Sequence, residues 1–231
     1  MNVTPTKTKI TGEMSLGNHH FTYEVYLLPI PDNHPEKQNI EQDLIRRLGS
    51  RIKNGSACLG MDETVARNNI ANNLYAAVCF VKNKNHDDAA SATLQHFDWC
   101  TNGKPDAEKR GKQIWICDLC RITNGIKPDQ SPVKVLFSVF EKVVIETLRL
   151  KLKHIHLMVK NETPTPAISK EASILVNIYK KYGFSVVAPS ECHVKDMYII
   201  MRKPISFRSK RKHKTRGKIA GGKKRTIRTR A

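Results

Sequence analysis

No run of about 18 consecutive apolar residues occurs in this 231-residue chain, so no segment has the length that a helix needs to cross a bilayer. The N-terminus, MNVTPTKTKITGEM, has none of the apolar core that marks an export signal. The six cysteines (58, 79, 100, 117, 120 and 192) have no compact disulfide spacing. Without an export signal they are expected as reduced thiols in an intracellular setting, with nucleus, nucleoid or virion favoured over secretion. Only one C-x-x-C occurs, Cys117 to Cys120, inside a strand-like run, where residues three apart face opposite sides. With no second pair, no metal site is expected. Internal repeats are absent as well. The last thirty residues lack acid altogether. Arg202 to Ala231 holds 14 of the 40 Lys and Arg and none of the 21 Asp and Glu, in a chain of formal net charge +19. The first 201 residues are therefore nearly balanced, at +5.

From Phe207 on, that tail has almost no apolar residues beyond Phe207, Ile219 and Ile227. It cannot bury enough surface to offset the entropy of ordering, so disorder is expected when it is unbound. Its cations are Arg208, Lys210, Arg211, Lys212, Lys214, Arg216, Lys218, Lys223, Lys224, Arg225, Arg228 and Arg230. Neutralising phosphates with such a run releases counterions, so DNA or RNA is the expected partner, bound with steep salt dependence and little sequence preference. KRKHK and KKR also fit nuclear-import patches. A membrane is not expected, because no amphipathic stripe accompanies the charge. The chain divides into a loose N-terminus over 1–18, one domain over 19–203 and the basic tail over 204–231.

Within the domain, periodicity predicts strands over 20–30, 74–82, 89–100, 113–121, 154–160, 184–188 and 197–203, with helices over 36–53, 62–73, 131–150 and 169–182. Asp62, Ser131 and Ser169 are placed as N-caps, and Pro132 suits a first helical position. In IYKKYGFSVV, Gly183 supplies the left-handed residue that ends a helix and Phe184 folds back on the last turn. The order describes an α/β fold, a mixed central sheet of about 6–7 strands with antiparallel ends and a parallel centre. His154 and His156 share one strand face and read as sheet residues, and Trp115 reads as core.

This order resembles the GNAT (N-acetyltransferase) superfamily. There a central strand leads through a pyrophosphate-binding loop into a helix, then a strand, a helix ending in Y-x-x-x-G-F and a final hairpin. The topological resemblance covers roughly 20–203, and the sequence resemblance is concentrated in 113–187, above all in Tyr179-Lys-Lys-Tyr-Gly183-Phe184. It implies acetyl-CoA as cosubstrate and an amine as acceptor. It implies that the backbone of Leu119, Cys120 and Arg121 meets the pantetheine arm, and that the residues Gln130, Val133, Lys134 and Val135 stand where the family's phosphate loop, Q/R-x-x-G-x-G/A, opens its helix. Asn161 corresponds to the family's Asn after the next strand, and Tyr179 to its general acid. The base is left open among Asp118, Glu162 and water. The loop departs from the family because Val133 and Val135 replace two small residues. Glycine lets backbone approach phosphate where β-branched Val obstructs it, and Pro132 removes a donor. Two readings follow. The first is an acetyl-CoA-dependent N-acetyltransferase with a nucleic-acid-binding tail. The second is an inactive GNAT-like binding or structural protein of a nucleoprotein or virion assembly.

Overall fold

The computed structural model describes residues 8–49, 62–85, 87–95, 114–121, 130–148, 154–162, 167–188 and 198–205. Eight strands form one sheet: β1 (Lys9–Leu16), β2 (His19–Leu27), β3 (Tyr75–Lys82), β4 (Asp88–Gln95), β5 (Ile114–Arg121), β6 (His154–Lys160), β7 (Ser185–Val186) and β8 (Tyr198–Pro204). Their spatial order is β1-β2-β3-β4-β5-β6-β8-β7. The pairing of β5 with β6 is parallel and every other one is antiparallel. The helices are α1 (Lys37–Gly49), α2 (Glu63–Ala71), α3 (Pro132–Val139), α4 (Ile145–Leu148) and α5 (Lys170–Lys181).

Alternation along the strands sorts the core into two layers. Val25, Ala77, Cys79, Ala92, Ile116 and Leu157 face α3 and α5, which contribute Val135, Leu136, Phe137, Ala172 and Val176. Tyr26, Val78 and Phe80 face the other way, against Leu44 and Leu48 of α1 and Ile70 of α2. Three helices, α2, α3 and α5, start where their polar caps predict. Asp62 Oδ1 accepts from Val65 N at 2.8 Å, Ser131 Oγ from Val133 N at 3.2 Å and Ser169 Oγ from Ala172 N at 3.2 Å.

Two expectations need correction. The segment 1–18, expected to be loose, contains β1, so the sheet has eight strands rather than six or seven. Gly17, at φ +56°, turns β1 into β2. The Gly-Asn pair between two alternating runs was the available signal. Gly12 lies opposite Tyr23, where an added Cβ would come 2.3 Å from the phenol oxygen, so any larger residue there must displace the Tyr23 ring. The helix expected over 131–150 is interrupted by a π-helical turn, Phe140–Val144. Its Glu141 pairs with Lys203 of β8.

A charged knot ties α1 to the sheet. Arg47 meets Asp88 through two nitrogens at 2.7 and 3.1 Å and Glu24 at 2.9 Å, and lies 3.6 Å over the Phe80 ring. Burial opposes the charge on Glu24, but hydrogen bonds from Lys9 and Lys82 and the charge of Arg47 outweigh it and hold the carboxyl at about 2. Replacing Arg47 with Leu takes the bidentate partner from Asp88 and one of three cations from Glu24, and is expected to cost about 3 kcal/mol in chemical denaturation. The Glu24 value lies below its ordinary 4.5, so its stabilisation is complete above about pH 4.5 and fades as pH falls toward 2. Glu24→Gln should flatten that part of the stability–pH curve.

Candidate active site

The parallel strands β5 and β6 pair at only three positions, Ile114↔Ile155, Trp115↔His156 and Ile116↔Leu157. Beyond them β6 continues beside β8, in register as far as Lys160↔Tyr198, while β5 follows β4. Between Ser91↔Cys120 and Thr93↔Cys117, β5 carries one residue more than β4. This bulge holds Asp118 at φ +51°, the left-handed region that Asp tolerates better than most residues. A bulge bends its strand, and the two strands part to leave a cleft of about 460 Å³.

Leu119 and Tyr179, two of the expected site residues, line this cleft together with Asp118, Lys160 and Leu175. Tyr179 owes its place to the way α5 ends. Phe184 N donates to Tyr179 O at 3.2 Å and Gly183 N to Lys180 O at 3.0 Å, with Gly183 at φ +89°. This is a Schellman ending, whose usual apolar contact joins the residues that become Tyr179 and Phe184 here, ring centres 6.3 Å apart. Phe137 of α3 supports the Tyr179 ring edge-on at 6.4 Å. Burial, with a smaller contribution from Tyr182, pushes the Tyr179 phenol up to about 12, so it keeps its proton at neutral pH.

Asp118 was open as a base, and its supports were not foreseen. Thr93 Oγ1 donates to Asp118 Oδ2 at 2.7 Å. Tyr75 hydrogen-bonds the same carboxylate, and its hydroxyl accepts from Asn69 Nδ2 of α2 at 2.8 Å. Burial first, and the Asp118 charge second, hold the Tyr75 phenol protonated. Burial likewise raises the Cys117 thiol in the cleft wall far above the usual thiol range.

The other expected residues lie elsewhere. Val133 and Val135 are buried members of the core cluster around α3. At that mouth Ser131 Oγ takes the Val133 amide, the Lys134 amide donates to Ser131 O at 2.9 Å, and Lys134 is half-buried. Gln130 sits beside the β1–β2 turn, its Nε2 3.0 Å from where a Cβ on Gly17 would be. Asn161 is fully buried. It donates to Ala167 O and accepts from Ser169 N, both at 2.8 Å, which pins the entry to α5. Glu162 is exposed and is not among the cleft residues. His156 stacks on Trp115 at 4.9 Å; burial, then the neighbouring His154 and Arg202 charges, lower it to about 4. Cys79 and Cys117 are free thiols. Cys120, expected reduced, is disulfide-bonded. Arg121 ends β5. The tail cations 208–230 lie outside the described residues. Among the described residues no helix is long and apolar enough to cross a membrane.

The fold is GNAT-like in element order, with the parting parallel pair at its centre. No protein-family profile matches the chain, and no curated protein sequence matches it. Solved structures similar to it include a GNAT-family acetyltransferase from Listeria monocytogenes 4b F2365, at 14% identity and TM-score 0.46 over 84% of this chain and 99% of that one. A spermidine N-acetyltransferase from Vibrio cholerae, solved in complex with CoA and spermine, is similar at 10% identity and TM-score 0.44 over 79% and 95%. The AHL synthase LasI is similar at 10% identity and TM-score 0.45 over 81% and 91%. The similarity is one of architecture, and what the cleft can do follows from its own residues.

Asn161→Ala removes two buried hydrogen bonds and is expected to lower unfolding free energy by about 1–3 kcal/mol.

Proposed function

We propose that this protein is an N-acyltransferase, moving an acyl group from an acyl-CoA thioester to a primary amine, and that its basic tail binds nucleic acid. The reading is carried by the cleft where β5 and β6 part, with the protonated Tyr179 phenol in its wall. The opening suits an extended arm that pairs with strand backbone, as a peptide does at a free sheet edge. The backbone of 117–119 and the side chains of Leu175 and Tyr179 would hold such an arm. When bound, an acyl-CoA supplies an activated thioester.

The chain's own residues do the rest. Tyr179 presents a neutral hydroxyl as a hydrogen-bond donor to the leaving sulfur. A free thiol titrates near about 8.5, so giving it the proton of a phenol at about 12 is uphill in water. Burial also raises the Cys117 thiol, which lines the same cleft, and a thiolate in this cleft is correspondingly more basic, which narrows the gap. Leu175 and Met158 contribute apolar wall. The support for tail binding is the charge count alone, 14 cations without an acid from Arg202 onward.

The helix mouth favours a second reading, a binding protein that does not use acyl-CoA. Ser131 occupies the Val133 amide and Pro132 offers none, so this helix start has fewer donors for a phosphate than an uncapped one. Titration with acetyl-CoA, using 3′,5′-ADP as a control that lacks the pantetheine arm and thioester, separates the two. Tighter binding of acetyl-CoA supports the enzyme, and equal binding of both supports the second reading.

Tyr179→Phe should cut CoA release from acetyl-CoA in the presence of primary amines by about 100-fold, while acetyl-CoA affinity changes less than twofold; an unchanged rate removes Tyr179 from the chemistry. Deleting 206–231 should abolish DNA binding whose affinity falls steeply with salt. Salt-sensitive affinity that survives the deletion would place the nucleic-acid site on the domain.

A further inference from the structure

The sheet begins at β1, and among the described residues no strand pairs with its outer edge. Leu27 N donates to Thr8 O at 2.9 Å. That makes Thr8 and Leu27 a hydrogen-bonded pair and sets the alternation that follows. Ile10, Gly12, Met14 and Leu16 therefore turn their N–H and C=O groups to β2, and Lys9, Thr11, Glu13 and Ser15 turn theirs outward. Thr11, Glu13 and Ser15 are exposed.

Such an edge is a template for another strand, and folded proteins commonly blunt it with proline, a bulge or an outward lysine. β1 has no proline, and its ladder to β2 runs in unbroken register. Its one lysine, Lys9, is turned back to Glu24 at 2.6 Å.

The charges decide which strand fits. The outward set holds one cation, Lys9, and one anion, Glu13, placed symmetrically about Thr11. Two copies of β1 running antiparallel about a two-fold axis at Thr11 bring Lys9 opposite the partner's Glu13 and Thr11 opposite the partner's Thr11. Registers centred on Lys9 or on Glu13 set like charges face to face, which cross-strand pairing disfavours. The Glu13 side chain is 68% exposed, and its ion-pair contact within the chain is His20 Nε2 at 3.4 Å. The other face agrees. In this register Ile10 stands opposite the partner's Gly12. The Tyr23 ring lies over Gly12 of its own chain, so a half-buried Ile10 meets a half-buried tyrosine ring across the axis. An aromatic ring filling the space beside a strand glycine is a known stabilising device.

We propose that the outer edge of β1 is a self-pairing surface, through which two copies of this chain join antiparallel about Thr11 into one continuous sheet. The interface is isologous, so it closes at two copies. The cleft between β5 and β6 lies beyond β2, β3 and β4, and the pairing is independent of the acyltransferase reading.

The test is sedimentation equilibrium on the full chain. Wild type should be a dimer at about 100 µM. Thr11→Pro deletes the donor at the axis. Proline is tolerated on an edge strand where its missing N–H would face solvent, so this variant should keep its thermal midpoint and associate at least about tenfold more weakly. The register has its own readout. Opposed residues of a hydrogen-bonded pair have Cα atoms about 5.5 Å apart, within disulfide reach. Under glutathione disulfide, Thr11→Cys should give a covalent dimer that neither wild type nor Ser15→Cys gives, because Ser15 lies far from the partner's Ser15. A monomeric wild type overturns the proposal, whether the edge stays bare or takes an extended peptide from another protein. A dimer that survives Thr11→Pro, or equal cross-linking of the two cysteine variants, also overturns it. If Thr11→Pro does not fold, the cysteine variants decide: cross-linking selective for position 11 upholds the pairing, and its absence overturns it.

Discussion

The parting of two parallel strands is the constraint on which the site depends. β5 is drawn one way by its ladder to β4 and bent by the bulge at Asp118, while β6 is drawn the other way by seven paired positions on β8. Three paired positions hold them together at one end, and the sheet opens beyond. The bulge that opens the sheet is also what turns a carboxylate toward Thr93. Site geometry and sheet geometry are thus one feature, and neither can be altered alone.

Burial shapes the chemistry of the cleft in one direction. It raises the phenols of Tyr75 and Tyr179 and the thiol of Cys117, so the site keeps protons on its neutral acids. The opposite holds in the knot beneath α1, where Glu24 stays ionised because Lys9, Lys82 and Arg47 surround it. The knot anchors α1 and the first strands through charge. The cleft, near the middle of the sheet, is lined by two charged side chains, Lys160 and the hydrogen-bonded Asp118.

Much of this was legible in the sequence where the signal is local. Capping residues, the helix ending at Gly183 and the strand over 154–160 depend on neighbours in the chain. β1 was missed although its Gly-Asn turn was in view, because a polar, weakly apolar strand at a sheet edge lacks the hydrophobic run that betrays a buried one. The π-helical turn at Phe140–Val144 left no mark on an apolar stripe whose period it changes only slightly. Val133 and Val135 were read as an obstruction at the helix mouth; helix rotation, which composition does not give, turns them to the core. Thr93 and Tyr75 are distant in sequence from Asp118, and only the register of three strands brings them to it.

The most direct test of the central claim is amide hydrogen exchange on the full chain, with and without acetyl-CoA. The account predicts slowed exchange in the peptides covering 114–121 and 154–160, the two strands whose parting forms the cleft. Slowing confined to 206–231, or none in either strand, would contradict it.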